Sequence, residues 1–306
     1  MTAAKQKYLF YVLVLSLIFL ASCTHNTINQ TTQLNTPQET KKPTAIEQQT
    51  IKIASFNIQI FGQTKIKNDE VMQIISKIVK QYDLVAIQEV RSTEQNVIPT
   101  LLNYINDANT KYDYIISERL GRSTSKEQYV FVYNTKTINL IPNSSYVAGD
   151  PDDVFEREPF IASFKAGNFD FTIVDNHVKP EDVEAELTHL KIEINKIYDG
   201  SSEKDVIVVG DMNADGSYFK EEKLAVILPE WTQMIGNNVD TTVGTADNTY
   251  DRMMTRDTTA NVEYTGNSGA FRWDTEYNVT DSAFIKKVSD HYPVYAEFRV
   301  DLQDDD

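Results

Sequence analysis

A strand, a helix and a second strand follow one another between Ser55 and Arg91, and this segment limits the possible folds more than any other. Residues 51–61 alternate apolar and polar side chains, which predicts a half-buried strand. Residues 69–80 carry apolar side chains at helical spacing, and residues 84–90 form a second run of apolar and β-branched side chains. The segment therefore favours an α/β architecture.

The rest of the chain contributes more strands than helices. Similar runs predict strands at residues 112–117, 129–133, 161–164, 169–176, 206–209, 250–254 and 294–300, and helices at residues 94–106 and 180–198. Long strands with few helices between them favour sheets that pack face to face with helices outside. We therefore expect a four-layer sandwich, in which two packed mixed β-sheets are flanked by helices.

Polar side chains stand at the ends of several of these strands. Asn57 and Glu89 follow apolar runs, the sequence GDMNAD begins at Gly210 after a third run, and SDHYP begins at Ser289 just before a fourth. Each of these residues alone would suit a strand end or a solvated acid. Carboxylate and amide oxygens are, however, the ligands that Mg²⁺ prefers, and Mg²⁺ keeps waters that a substrate phosphate can replace. Three such clusters predict one metal site in a cleft.

The four histidines can be judged one at a time. His25 falls in a polar N-terminal stretch, and His189 falls inside a predicted helix, where a packed or solvated imidazole is expected. His177 ends an apolar strand and His291 precedes another, which are positions where scaffolds present functional groups. Because imidazole titrates near neutrality, these two residues are candidates for a general base and a general acid.

A histidine that transfers protons needs a partner that fixes its tautomer, usually a carboxylate on the other ring nitrogen. Glu127 and Asp251 each stand beside a predicted strand and are the candidates. One isolated acid in such a place would be an ordinary strand cap. Two acids and two histidines together favour a proton-transfer site.

The first two dozen residues differ in composition from the rest of the chain. Two lysines precede an apolar run that ends at Leu20 and is too short to cross a bilayer, which is typical of an export signal. The residues ending at Cys23 resemble a bacterial lipoprotein box, and an ordinary secretory signal or an uncleaved anchor are the alternatives. We expect a signal peptide at residues 1–22, a lipidated Cys23 with a flexible tether up to residue 50, and a catalytic domain at residues 51–306.

Charge and cysteine content narrow the classes of function. The formal net charge of −16 argues against a protein that holds nucleic acid on a broad basic surface. It does not exclude a nuclease, because bound cations invert the local field and a few arginines suffice to hold phosphates. Cys23 is the only cysteine, so an internal disulfide is impossible and acylation is the expected use of its thiol.

Several blocks of sequence together resemble the deoxyribonuclease I family of the endonuclease/exonuclease/phosphatase superfamily. The resemblance covers residues 51–300, and LGRxxxKE and the DTT block followed by YDR resemble that branch in particular. In chain order the blocks are SFNIQIFGQTK, IQEVRS, SERLGRSTSKEQYVF, FEREP, GDMNADGSY, VDTTVG, TYDRMM and SDHYP.

The resemblance implies a role for each matching position. His177 would pair with Glu127 and His291 with Asp251, and the two histidines would share base and acid duty. The residues that would hold Mg²⁺ and the scissile phosphate are Asn57, Glu89, Asp211, Asn213 and Asp290. The residues that would contact substrate are Arg157 and Tyr250 near the phosphate, and Arg91 and Arg122 in the DNA minor groove. Structural Ca²⁺ is implied at Asp240 and Thr242, and more loosely at Asp153, the Phe155 carbonyl and Glu158.

The chain departs from the family pattern at several positions. Ser125 stands where the family commonly has a minor-groove tyrosine, and Gln59 stands where it has an arginine. Both changes should weaken binding of duplex DNA without removing the chemistry. Gly216 and Asn248 replace the cysteines of one family disulfide, and the loop before Arg157 is shorter.

The leading hypothesis is an exported, lipid-anchored, Mg²⁺-dependent endonuclease that hydrolyses DNA to 5′-phosphate ends. It would act as a monomer in the bacterial cell envelope, at the outer membrane or cell surface. The first alternative is a phospholipid phosphodiesterase, such as a sphingomyelinase, or a phosphatase of the same superfamily. The second is a noncatalytic surface binder, which the retention of both histidines and of the oxygen ligands disfavours.

Overall fold

The computed structural model describes residues 49–256 and 263–303 of the 306-residue chain. The strands in these ranges are β1 (Thr50–Phe61), β2 (Leu84–Val90), β3 (Tyr112–Ile116), β4 (Gln128–Asn134), β5 (Asn139–Leu140), β6 (Tyr146–Val147), β7 (Phe160–Ala166), β8 (Phe169–Asp175), β9 (Val206–Asp211), β10 (Thr232–Gln233), β11 (Asp251–Thr255), β12 (Tyr264–Ala270) and β13 (Val294–Arg299). The helices are α1 (Gln63–Ile66), α2 (Asp69–Val79), α3 (Val97–Ile105), α4 (Val183–Gly200), α5 (Leu224–Ile227), α6 (Trp273–Glu276) and α7 (Ser282–Val288).

The strands form two mixed sheets. The first sheet has the order β12-β13-β1-β2-β4-β3, and the second has the order β10-β11-β9-β8-β7-β5, with β6 paired to β7. β1 and β2 are parallel, as are β8 and β9, and the remaining pairs are antiparallel. Each sheet thus contains one parallel pair within an antiparallel framework.

An aromatic layer fills the space between the two sheets. Phe131 of β4 stacks on Phe160 of β7 at 5.2 Å between ring centroids and meets Phe164 edge-on at 5.8 Å. Helices α2, α3 and α7 bury their apolar faces on the outside of the first sheet, and α4 does so on the second. These four layers confirm the predicted sandwich, because each sheet has one face on the central core and the other under helices.

The predicted elements are present with shifted ends. Helix α4 begins at Val183, so Pro180 precedes the helix and does not lie in its first turn, and β9 extends to Asp211. Asn57 is an interior residue of β1 and does not end it. The prediction missed strand β12, whose sequence YTGNSGA lacks the residues typical of strands. Pairing with β13 supplies the order that its own residues do not.

The described residues belong to one compact unit, Glu47–Asp306. The predicted signal peptide, Cys23 and most of the predicted tether lie outside the described residues. Strand β1 already includes Thr50, the last residue assigned to the tether. Within residues 49–256 and 263–303, the helices are too short or too polar to span a bilayer.

Candidate active site

The face of each sheet that looks onto the central core is apolar at one end and polar at the other. In β1, Ile51 and Ile53 belong to the core, and the same face continues through Ser55 to Asn57 because alternate residues share a face. The same change occurs on neighbouring strands and places six buried polar residues at one end of the sandwich: Asn57, Gln88, Glu127, Asp175, Asp211 and Asp251. The site is therefore the polar end of the inter-sheet layer.

His177 follows β8 and pairs with Glu127 across the two sheets. Its Nδ1 lies 3.1 Å from Glu127 Oε1, and the same oxygen lies 2.6 Å from Nη1 of Arg157. Arg157 also donates from Nε and Nη2 to the His177 carbonyl, at 3.1 and 3.0 Å. Burial alone would raise the pKa of Glu127, but His177, Arg157 and Arg91 outweigh it and lower that pKa to about 2. Glu127 is thus an ionised acceptor that orients the imidazole.

His291 precedes β13 and pairs with Asp251, the first residue of β11. Its Nδ1 lies 2.8 Å from Asp251 Oδ2, and both residues are buried. Burial opposes the charged imidazole, but the carboxylates of Asp251 and Asp211 outweigh it and raise the pKa of His291 to about 10. This pair also joins the two sheets, since β13 belongs to the first sheet and β11 to the second.

The free Nε2 atoms of the two imidazoles converge on one oxygen. Asp211 Oδ2 lies 3.6 Å from Nε2 of His177 and 3.5 Å from Nε2 of His291. Asn57 donates from Nδ2 to the same oxygen at 2.9 Å. The two imidazoles therefore face a common point, as proton transfer to and from one phosphate ester would require.

Oxygen donors for a divalent cation lie beside this point. Asn57 donates from Nδ2 to Glu89 Oε1 at 3.3 Å, and its own Oδ1 is buried without a hydrogen-bond partner among the described residues. Asp290 accepts from Nε2 of Gln59 at 2.5 Å, and burial above all raises the pKa of Asp290. Glu89, Asp290 and the Asn57 carbonyl oxygen fit a hard cation. A grouping of Glu89 with Glu127 and His177 is also compact, but Arg157 and Arg91 already contact Glu127.

Three residues at or near the site have a backbone conformation that is unusual for residues other than glycine. Ile60, Glu89 and Asn213 have positive φ angles of 50°, 62° and 48°. The Ile60 conformation lets its N–H donate to Glu89 Oε2 at 2.8 Å. Asn213 donates from Nδ2 to the Val178 carbonyl at 2.8 Å, and its own N–H donates to Asp211 Oδ1 at 3.1 Å. Such strain persists where the surroundings dictate the conformation, and it clusters at functional sites.

Three of the four predicted substrate-binding residues lie at the site. Arg91 contacts Glu89 at 2.9 Å and Glu127 at 3.4 Å, and the Tyr250 ring lies 6.4 Å from the His291 ring. Arg157 is buried against Glu127, as described above. Arg122 lies further out, where its Nη1 and Nη2 donate to the carbonyls of Asp153 and Val154 at 2.9 and 2.8 Å.

Asp240 and Thr242, the residues of the first predicted calcium site, already have protein partners. Thr242 donates from its N–H to Asp240 Oδ1 at 3.1 Å, and Arg272 lies 3.4 Å from Asp240 Oδ2. On the second predicted site, Phe155 donates its N–H to the buried Asp150 at 2.7 Å. Asp150 also lies 3.6 Å from Nε2 of His189, which stacks edge-on against Phe155. His189 is thus a packed helix residue, as its position in the sequence predicts.

Sequence reasoning missed a buried polar layer beneath the histidines. Gln88 donates from Nε2 to Asp175 Oδ1 at 2.6 Å and to Ser55 Oγ at 3.0 Å. Burial raises the pKa of Asp175 to about 8. The missed signal is the period of two: Gln88 and Asp175 continue the inward faces of Leu84–Val90 and Phe169–Asp175.

A histidine–carboxylate pair on each side of an oxygen cluster suits the hydrolysis of phosphate esters, and similarity to known proteins identifies the family of this chain. Residues 54–291 match the family model described as the Endonuclease/Exonuclease/phosphatase family, so the chain belongs to that family. It is 34% identical over 265 residues to deoxyribonuclease gamma of Rattus norvegicus, covering 82% of this chain and 84% of the relative. It is 33% identical over 256 residues to deoxyribonuclease-1 of Homo sapiens, covering 80% and 90%. The chain is a deoxyribonuclease I-like phosphodiesterase.

Solved structures share the fold at low sequence identity. An endonuclease/exonuclease/phosphatase from Bacteroides vulgatus superposes with a TM-score of 0.57 at 17% identity, covering 82% of this chain and 99% of that chain. A family protein from Bacteroides thetaiotaomicron gives a TM-score of 0.56 at 14% identity, covering 85% and 99%. These likenesses confirm the two-sheet architecture.

Proposed function

We propose that this protein is an exported, lipid-anchored, Mg²⁺-dependent endonuclease that hydrolyses DNA and leaves 5′-phosphate ends. The observation that supports it most is the convergence of the His177 and His291 Nε2 atoms on Asp211 Oδ2, at 3.6 and 3.5 Å. The relatives named deoxyribonuclease at 33–34% identity support DNA as the substrate.

The different surroundings of the two histidines suggest which is the base. Burial lowers the pKa of His177, Glu127 raises it, and Arg157, which lies against the pair, lowers it. The net shift of this pKa is upward. Burial lowers the pKa of His291, but the carboxylates of Asp251 and Asp211 outweigh it and raise that pKa to about 10. A neighbouring cation favours the neutral, proton-accepting imidazole, whereas neighbouring carboxylates favour the protonated, proton-donating one. We assign His177 as the base and His291 as the acid.

The proposed reaction needs one proton transfer at each histidine. Nε2 of His177 accepts a proton from water as the water oxygen bonds to phosphorus, and Nε2 of His291 donates a proton as the bond to the leaving 3′ oxygen breaks. Arg157 and Asn213 are proposed to donate hydrogen bonds to the nonbridging oxygens. Mg²⁺ held by Glu89, Asp290 and Asn57 would stabilise charge on the phosphate. Ca²⁺ at Asp240 and Thr242 is proposed as structural.

A groove beside the metal ligands suits a strand of nucleic acid. Its volume is about 420 Å³, and its lining includes Ile60, Lys65, Lys286 and Lys287. Lys65 is held by the Val288 carbonyl at 2.8 Å, so its ammonium group has a fixed place next to the site. Lysines clustered on a chain of net charge −16 mark a local surface for phosphates.

A phospholipid phosphodiesterase is the second candidate, because Ile60 is 56% exposed beside the same lysines. An exposed apolar side chain flanked by cations also suits an anionic membrane surface. Arg91, held between Glu89 and Glu127, favours the nuclease, since this arginine and the LGRxxxKE block match the deoxyribonuclease I branch in sequence.

The test uses purified residues 24–306, which contain both sheets and their helices. We expect this protein to nick supercoiled plasmid in Mg²⁺, to stop in chelator, and to be inactive as His177→Ala or His291→Ala. His189→Ala is the matched control and should remain active. Cleavage of sphingomyelin with plasmid left intact would refute the nuclease proposal in favour of the second candidate.

Membrane attachment is a separate proposal that rests on the sequence around Cys23. In bacteria expressing the full chain, Cys23→Ser should move the protein from the membrane fraction to the soluble fraction. The unchanged chain should label with a fatty-acid probe. Unaltered fractionation of Cys23→Ser would contradict the lipid anchor.

A further inference from the structure

Glu186 is a fully buried acid that has no part in the mechanism above. It lies in the first turns of α4, and each of its carboxylate oxygens accepts a backbone N–H from a different loop. Oε1 accepts from Glu156 at 3.0 Å, and Oε2 accepts from Lys179 at 3.3 Å. One side chain thus bridges two segments that are distant in sequence.

Those two segments carry the groups that surround Glu127. Glu156 precedes Arg157, and Lys179 follows His177 by two residues. The segments also contact each other directly, because Arg157 donates two hydrogen bonds to the His177 carbonyl at 3.1 and 3.0 Å. A change in their separation would therefore move both partners of Glu127.

We propose that Glu186 is a positioning residue, which holds the Glu156 and Lys179 segments at the separation that aims Arg157 and His177 at Glu127. Its effect on catalysis rests on the proposed nuclease function. Its effect on the geometry of His177 does not.

The effect of burial on the Glu186 carboxyl group suits a functional role better than a stabilising one. Burial raises the pKa of Glu186 to about 7, against the two backbone hydrogen bonds and the charges of Arg157 and His177. Because the folded-state pKa lies above the unfolded value, the stability linked to Glu186 is fully present below pH 4.5 and is lost as pH rises through about 7. Near pH 8 the ionised form costs stability, as residues kept for function often do.

The substitution Glu186→Gln distinguishes a positioning role of Glu186 from a contribution to stability. The amide keeps the size of the side chain and one acceptor, but its NH₂ group would face the second backbone N–H. We expect kcat for plasmid nicking to fall about ten-fold or more with little change in KM, because small misplacements of catalytic groups are costly. We also expect Tm near pH 8 to stay equal or rise, since a buried charge is removed. Glu193→Gln, on the same helix and paired with Lys196 at 2.6 Å, is the matched control.

A second measurement does not depend on the substrate. In ¹H–¹⁵N spectra of the imidazoles, with His177 assigned by the loss of its signals in His177→Ala, Glu186→Gln should shift the His177 ring resonances and Glu193→Gln should leave them unchanged. If wild-type protein nicks no plasmid, the proposed function fails and the spectra still decide the positioning role. Wild-type kcat together with unshifted His177 signals would overturn the proposal.

A third variant covers the case in which Glu186→Gln does not fold. Glu186→Asp keeps the charge, but it is one methylene shorter and cannot reach both segments without a shift. We expect an intermediate loss of kcat and a smaller displacement of the His177 signals. Wild-type values for both would equally overturn the proposal.

Discussion

Asp211 Oδ2 is the atom on which both imidazoles converge, and the residues around each imidazole differ in charge. Arg157 and Arg91 contact the carboxylate partner of His177, whereas the charges that most raise the pKa of His291 are Asp251 and Asp211. The two imidazoles therefore stand in different charge environments within one site. This difference is the basis for assigning separate roles to the two histidines.

Removing the charge of Asp251 should lower the pKa of His291, the proposed general acid, without a direct effect on His177. Asp251→Asn takes away the carboxylate that most raises the pKa of His291, so that pKa should fall from about 10 toward its ordinary 6.5. We expect kcat near neutral pH to drop about 10⁴-fold, by analogy with Asp→Asn substitution in other histidine–carboxylate pairs. The measurement is the pH dependence of kcat, whose alkaline limb should move to lower pH.

Two observations would check this assignment. Asp170→Asn, which removes an acid paired with Lys165 at 2.7 Å elsewhere on the second sheet, should leave the pH profile unchanged. An alkaline limb of Asp251→Asn that coincides with wild type would mean that His291 is not the acid.

At the scale of single elements, the period of two along the strands determines where the site lies. The sequence alone was sufficient to place both histidines near strand ends and to single out Asn57 and Glu89 as candidate site residues, because strand patterns and polar clusters are local features. The pairing of each histidine with its acid came from the family resemblance and not from local patterns, since Glu127 and His177 flank strands of different sheets. Glu186 could not be found from sequence, because a buried acid and an exposed one look alike on a helix of weak amphipathic pattern.

One glycine allows β9 to deliver Asp211. Gly210 has φ +132°, and a Cβ there would lie 1.8 Å from the Asn176 carbonyl oxygen. Gly210→Ala should therefore displace Asp211 and destabilise the domain by about 3 kcal/mol or more, with loss of nicking. Urea unfolding measures the first effect and the plasmid assay the second.

Gly149→Ala is the control for this substitution, since a Cβ at Gly149 meets nothing within 4 Å. Its midpoint of unfolding should match wild type. A stable and active Gly210→Ala would show that the close approach of β9 to Asn176 is not required.

At the scale of the whole molecule, the charge is distributed unevenly. A chain of net charge −16 repels nucleic acid at long range, so binding must depend on bound cations and on the few basic groups near the site. The groove with Lys65, Lys286 and Lys287 is such a basic surface, and its Lys65 lies close enough to Asp290 for their charges to interact.

Replacing both lysines of α7 should weaken DNA binding and reduce its dependence on salt. For Lys286→Ala with Lys287→Ala, we expect the slope of log K against log salt to fall by up to about 2, because each phosphate contact contributes about 0.9. Binding of a duplex to the inactive His291→Ala protein, titrated with KCl, provides the measurement.

The control pair is Lys111→Ala with Lys136→Ala, which are exposed at the end of β4 opposite Glu127. It should bind with the wild-type salt slope. A slope unchanged by loss of Lys286 and Lys287 would remove the groove from the path of the DNA.

Each histidine and its acid come from opposite sheets, and the distance between those sheets is set by the aromatic layer that contains Phe131 and Phe160. The size of these rings therefore determines how far apart the two sheets hold the reacting groups. Replacing a ring in that layer with a smaller or larger side chain should change the distance between each histidine and its acid, and with it the reaction rate, without altering any residue of the site.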